Sequence, residues 1–214
     1  MIRVVIVDDH AVLRAGLSRF LEESGDLQVV AACASADEAI ELAQGDVADV
    51  MLLDIAMPGQ TGIEALPAIR ARAPLLRVLI FSALPSAHYA LPLMRQGAQG
   101  FLNKGCDPEE IVVAIRTLAR GRRHVGQELA EQLAAQLDAH PGAGPASPPH
   151  AALNPRELQV FLRLARGESV GQMTRSMALS LKSVSTYRSR VMSKLGLASN
   201  SQLTYYAIKH GLID

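Results

Sequence analysis

Val50-Met-Leu-Leu-Asp54-Ile-Ala-Met-Pro58-Gly59 is the stretch on which the fold turns. It is an apolar run that ends on one carboxylate and then meets a turn. A run this apolar, bounded by turn residues, fits a strand buried on both faces of a parallel sheet. Asp54 then stands at the carboxyl end of that strand, where open α/β sheets place their chemistry. Pro58-Gly59 turns the chain. A carboxylate on the rim of an apolar sheet is costly without partners, so the rest of the chain is read for what could answer it.

The stretch has neighbours of the same kind. Ile2 to Val7 is an apolar strand broken only by Arg3, and it delivers Asp8 and Asp9 to its end. Leu27 to Cys33 reads as a strand, as does Arg77 to Ser82, which ends on a hydroxyl. Gly100 to Lys104 is a short strand ending on an ammonium. Helices are expected between them. His10 to Glu23 carries Val12, Leu13, Leu17, Phe20 and Leu21 at helical spacing. Ser35 to Glu38 is a capping box opening a helix through Ala43, and Ile63 to Ala73 forms the next. Asp107-Pro108 opens a fifth. The fourth is bracketed by Pro85 and interrupted by Pro92, so it is expected to be short, kinked or mobile, because an interior proline costs about 3 kcal/mol or more. Strands alternating with helices in this way give an α/β fold with a doubly wound, five-stranded parallel sheet.

Beyond this sheet the composition changes. Gln127 to Ala139 reads as an Ala/Gln/Leu-rich helix. His140 to Pro149 is rich in Pro, Gly and Ala and reads as a semi-stiff linker. Then come closely spaced caps: Asn154-Pro155-Arg-Glu157 for a helix through Arg166, Ser169 to Gln172 for one through Met177, Ser180 for one ending at Leu195 and Gly196, and Ser199 to Gln202 for the last. Four short helices make a compact all-α module.

The chain has 214 residues, an apolar fraction of 49% and a net charge of zero, but the charge is segregated. Residues 1–150 hold 12 Lys and Arg against 18 Asp and Glu, and residues 151–214 hold 9 against 3. A small basic module beside an acidic domain points to nucleic acid. No apolar run is long enough to span a bilayer or to act as a signal peptide, and Cys33 and Cys106 lack metal or redox spacing, so free thiols and a cytoplasmic setting are expected.

Asp8, Asp9 and Asp54 end adjacent strands if the usual order holds. Carboxylates that close repel one another. A hard divalent cation relieves the repulsion, and Mg2+ takes oxygen ligands while keeping several waters. With Lys104 it would neutralise a phosphoryl group, Asp54 would be the nucleophile forming an acyl phosphate, and Ser82 could hydrogen-bond a phosphoryl oxygen. In the basic module, a helix over 181–195 places Val184, Val191 and Leu195 on one face. Lys182, Ser185, Thr186, Ser189 and Arg190 share another. That face suits a major groove, with short groups near base edges and cations on phosphates.

These motifs carry two resemblances. Residues 1–121 resemble the flavodoxin-like receiver domain of two-component response regulators, on Val7-Asp8-Asp9-His10, Asp54 to Gly62, Ser82-Ala83 and Gly100-Phe101-Leu-Asn-Lys104. The resemblance implies that Asp54 is the phosphoacceptor. It makes Asp9 a direct Mg2+ ligand, Asp8 a ligand largely through water and the Ala56 carbonyl a further ligand. Ser82 and Phe101 become a switch pair. Residues 153–214 resemble the LuxR-type (NarL/FixJ) helix-turn-helix domain, on Leu153 to Leu158, Ala165-Arg-Gly167 and Ser183 to Arg190 leading to Lys194-Leu195-Gly196. That implies a supporting helix at 169–177 and a recognition helix at 181–195. Ser185, Thr186 and Ser189 would face bases, with Lys182, Tyr187, Arg188, Arg190 and Lys194 on the backbone, and a dimerisation helix around Gln202 to His210. Residues 122–152 lie outside both.

The expected function is a phosphorylation-controlled transcription factor. Its implied partners are a sensor histidine kinase, a two-fold DNA site, a second copy of itself on activation and RNA polymerase as a further candidate, with no membrane. It would not be an enzyme, beyond accepting a phosphoryl group and slowly losing it. The alternative is a DNA-binding regulator that uses the receiver only as a dimer platform. An aspartyl hydrolase would carry a second aspartate two residues after Asp54, where Ala56 stands. A nucleotide-binding fold of the usual kind would carry a glycine-rich loop where Asp8-Asp9-His10 stands.

Overall fold

The structure is a computed structural model that describes residues 1–45, 47–58, 60–126, 130, 148–177 and 179–213, without the side chain of Ala87. The chain divides into two compact units, Met1–Ala134 and Ala135–Asp214.

The first unit alternates β1 (Ile2–Val7), α1 (Ala11–Glu23), β2 (Leu27–Cys33), α2 (Ala36–Leu42), β3 (Val50–Leu53), α3 (Gly62–Arg72), β4 (Arg77–Ser82), α4 (Ser86–Arg95), β5 (Gly100–Asn103), α5 (Pro108–Ala119) and β6 (His124–Val125). The sheet order is β2-β1-β3-β4-β5-β6, and every pairing is parallel. The strand order reverses direction next to β1, the switch point at which such sheets bind ligands. All four residues of β3 are buried, as a strand covered on both faces requires. One face packs Val4, Ile6, Leu52, Leu79 and Phe81 against Leu17 and Leu21 of α1 and Ile111, Ile115 and Leu118 of α5.

Three details differ from the sequence expectation. The sheet has a sixth strand, with Gly100 paired to His124 and Phe101 to Val125, so it runs on past residue 121. Two residues are too short a run to show any periodicity. Helix α4 forms over ten residues with Pro92 inside it, and the ladder continues beyond the proline through the Gln96 N–H on the Pro92 carbonyl. Tyr89, Ala90 and Leu93 are almost completely buried, which offsets the proline's cost. Helix α3 likewise runs through Pro67. On α1, Val12 faces solvent at 89% exposure, while Leu17 and Leu21 make the buried stripe. No helix among the described residues is long and apolar enough to cross a membrane.

The second unit begins with a 3-10 turn, Pro149–Ala152, followed by α6 (Pro155–Ala165), α7 (Val170–Ser176), α8 (Leu181–Leu195) and α9 (Asn200–Lys209). The expected caps are in place. Asn154 and Ser169 form full capping boxes with Glu157 and Gln172, and Ser180 and Ser199 accept the N–H groups of Ser183 and Gln202. Gly196 ends α8 with φ of 67°, a left-handed conformation that favours glycine. Phe161, Met173, Val184, Val191 and Leu203 form the core. Apart from Ala130, the helix expected over 127–139 lies outside the described residues, as does most of the linker expected over 140–149.

Candidate functional site

The parallel register brings the chemistry together. Val7 pairs with Leu53, and the Asp54 N–H donates to the Val7 carbonyl, so Asp8 and Asp54 emerge side by side. Ser82 pairs with Asn103, and the Lys104 N–H donates to the Ser82 carbonyl, which sets the ammonium beside the carboxylates. Lys104 Nζ stands 2.7 Å from Asp54 Oδ2 and 2.7 Å from Asp8 Oδ2. The other Asp54 oxygen accepts the Ala56 N–H at 2.9 Å. Asp54, Asp8 and Ser82 are almost wholly buried, whereas Ala56 is exposed on the rim.

Burial pushes the Asp54 carboxyl above its ordinary range, against the pull of Lys104 and the Ala56 N–H. Burial alone would pull the Lys104 ammonium down, but its bonds to Asp54 and Asp8 outweigh this and hold it above its usual value. The pair is thus a buried charge contact that keeps the lysine cationic.

Ligand atoms of Asp8, Asp9, His10 and Asp54 all lie within 4.8 Å of one another. Asp9 Oδ1 is buried and accepts no hydrogen bond, and Asp8 Oδ2 is ion-paired to Lys104 without hydrogen-bond alignment. Under-bonded carboxylate oxygens converging in this way fit a hard divalent cation. His10 was not among the residues singled out from the sequence. Its N–H donates to Asp8 Oδ1 at 2.8 Å, and its Nδ1 lies 3.0 Å from Asp9 Oδ1. Its place directly after the two acids was the signal available.

The residues expected to form the switch pair are both buried. Ser82 Oγ accepts the Leu84 N–H at 3.2 Å, and Phe101 is 3% exposed. Gly62 starts α3 against the back of the site. A Cβ there would lie 2.1 Å from the Asp54 carbonyl oxygen, so only glycine lets α3 begin this close to the phosphoacceptor candidate.

In the second unit, Lys182, Ser185, Thr186, Ser189 and Arg190 are all exposed on α8, and Ser193 continues the same row one turn further on. Thr186 Oγ1 donates to the Lys182 carbonyl, leaving its lone pairs outward. The remaining three candidates sit differently. Tyr187 and Arg188 are half-buried, and Arg188 donates to Asn200 Oδ1 at 3.0 Å. Lys194 Nζ lies 2.6 Å from Glu157 Oε2 and 3.3 Å from the Ala152 carbonyl, so its charge is engaged within the module.

Comparison with known proteins agrees with both halves. Residues 4–116 match the response regulator receiver domain, and residues 151–207 match the bacterial regulatory proteins of the luxR family. The response regulator UvrY of Escherichia coli K12 is 34% identical over 214 residues, all of this chain and 97% of that protein. The crystal structure of a LuxR-family two-component response regulator from Aurantimonas sp. SI85-9A1 is 35% identical with a TM-score of 0.60, over 64% of this chain and 99% of that one. RcsB of Salmonella enterica serovar Typhimurium, solved bound to promoter rprA, shares the fold at 23% identity and a TM-score of 0.65, over 96% of this chain and 98% of that one. A receiver sheet ending on Asp54 and Lys104, followed by a basic four-helix module, places the chain among the response regulators of the LuxR family.

Proposed function

We propose that Asp54 is phosphorylated by a histidine kinase or a small phosphodonor, and that this phosphorylation controls dimerisation and sequence-specific DNA binding. The observation that carries the reading is Lys104 Nζ at 2.7 Å from Asp54 Oδ2, with Asp8 and Asp9 alongside. A carboxylate oxygen of Asp54 attacks phosphorus, the P–O or P–N bond to the donor breaks, and the donor leaves with its bonding pair. Lys104 answers the charge on the phosphoryl oxygens. Asp8, Asp9, Asp54 and the Ala56 carbonyl would hold Mg2+, which when bound neutralises the charge brought together at the site. Ser82 Oγ, now accepting from Leu84, keeps its own proton to donate to a phosphoryl oxygen. Phe101 lies directly beyond β4 in the same sheet and would answer that movement.

In the second unit, the exposed row on α8 reads the major groove, with Ser185, Thr186 and Ser189 toward base edges and Lys182 and Arg190 on phosphates. Tyr187, Arg188 and Lys194 would contact the backbone only at the expense of their present partners or burial. The effect of phosphorylation is a population shift, so some binding without it is expected.

The test is DNA-fragment binding with Mg2+ and acetyl phosphate, comparing wild type with Asp54→Ala, both sized by light scattering. Tighter binding and dimerisation on addition of donor, in the wild type alone, uphold the reading. Equal binding by both proteins, whatever the donor, favours the receiver as a constitutive dimer platform.

A further inference from the structure

At the end of the sheet opposite Asp54, a cleft of about 550 Å3 opens where β1, β3 and β4 begin. That volume lies within the range of ordinary small-molecule pockets, about 300–1,000 Å3. Arg3, Arg72 and Arg77 line it, with Asp49 the one carboxylate among the described lining residues. Asp49 is already committed to Arg3, accepting its N–H at 2.7 Å and its guanidinium at 2.8 Å. Arg72 is exposed and Arg77 half-buried, and neither is ion-paired among the described residues. The chain supplies them with nothing nearby in sequence, because no Asp or Glu occurs from Ala65 to Cys106, a span that holds four arginines and a lysine.

The cleft wall is preformed. Arg70 donates to the Pro74 carbonyl at 2.8 Å and to the Leu76 carbonyl, which fixes the α3–β4 turn. Burial first, and the charge of Arg77 second, hold the Arg70 guanidinium below its ordinary range, so Arg77 stands close enough to add to the positive charge behind this wall. Beside these cations stand Pro74 and Leu75, the leucine 86% exposed at the lip. A guanidinium matches phosphate in both charge and fork geometry, and an adjacent apolar lip suits an organic body.

We propose that this cleft binds a phosphorylated small molecule of nucleotide size, with its phosphate between Arg72 and Arg77 and its organic part against Pro74 and Leu75. Inorganic di- or polyphosphate shares the phosphate chemistry, and the two sources separate by experiment. The site is distinct from the acidic one and does not depend on phosphorylation of Asp54.

The test is calorimetric titration of the full chain with ADP, pyrophosphate and adenosine, at low salt and in EDTA so that no cation recruits phosphate to Asp54. Saturable ADP binding below about 1 mM is expected, weakened about tenfold or more by Arg72→Gln and by Arg77→Gln. Arg19→Gln, an exposed cation on α1, is expected to leave it unchanged. Arg72 is exposed, so its variant tests the site even if Arg77→Gln unfolds. Pyrophosphate binding as tightly as ADP, with the same arginine dependence, assigns the inorganic source. No saturable ADP binding up to about 1 mM, adenosine binding as well as ADP, or equal weakening by Arg19→Gln overturns the proposal.

Discussion

Lys194 Nζ lies 2.6 Å from Glu157 Oε2, and the same carboxylate oxygen accepts the Asn154 N–H at 2.9 Å. One buried carboxylate therefore closes the cap of α6 and clamps the far end of α8. Lys194→Met leaves that carboxylate with the backbone alone and should cost about 2 kcal/mol, less than a fully buried pair because Lys194 is partly solvated. Arg190→Ala should leave stability within about 0.5 kcal/mol and weaken DNA binding instead. Urea unfolding alongside fragment binding separates the two. A Lys194→Met protein of wild-type stability would refute the clamp.

Gly62 and Gly16 should respond to alanine in opposite ways. At Gly62 the new Cβ meets the Asp54 carbonyl oxygen at 2.1 Å, so α3 must move, at a cost of about 3 kcal/mol or more. Phosphate uptake from acetyl phosphate should fall with it. At Gly16, inside α1, nothing lies within 4 Å, and alanine should stabilise by up to about 1 kcal/mol. Thermal melts of the two variants check the pair, and a neutral Gly62→Ala would show that α3 has room to retreat.

Ala56 and Leu84 stand two residues beyond Asp54 and Ser82, and neither apolar side chain can orient a water for attack on an acyl phosphate. Slow hydrolysis is the expected result. Ala56→Asn places an amide at an exposed position on the rim and should hasten phosphate release severalfold. An unchanged release rate would show that the water is governed elsewhere.

Neither thiol should react readily near neutrality. Burial, with the charge of Glu38 next, pushes Cys33 up to about 11, and burial with Glu110 does the same for Cys106. Because the thiolate is the nucleophile, a raised pKa depletes it, and alkylation should rise about tenfold per pH unit up to that value. Iodoacetamide labelling followed by mass spectrometry gives the profile. A plateau near pH 8 in the folded protein would contradict it.

The alternation of strand and helix, and the residues ending each strand, were legible because those signals are local. Asn154, Ser169, Ser180 and Ser199 named their helix starts by the same logic. The acidic pair, Asp54 and Lys104 converge as the strand pattern implied. What the sequence did not show was long-range or very short. β6 has two residues, and its existence depends on the edge that β5 offers. The proline inside α4 looked disruptive because the burial of Tyr89 and Leu93 that offsets it is not visible in a linear pattern. The bond from Lys194 to Glu157 was not visible either, because the two lie 37 positions apart. The arginines around the cleft come from two separated stretches, Arg3 and the 72–77 run, so no motif announced them.

The last ladder in the receiver sheet has a mechanical meaning. Phe101 pairs with Val125, the last residue of the six-stranded sheet. Phe101 and the end of the sheet are thus rungs of one ladder. A backbone shift at Phe101 would load that rung, so the two-residue edge strand is where the sheet would register it.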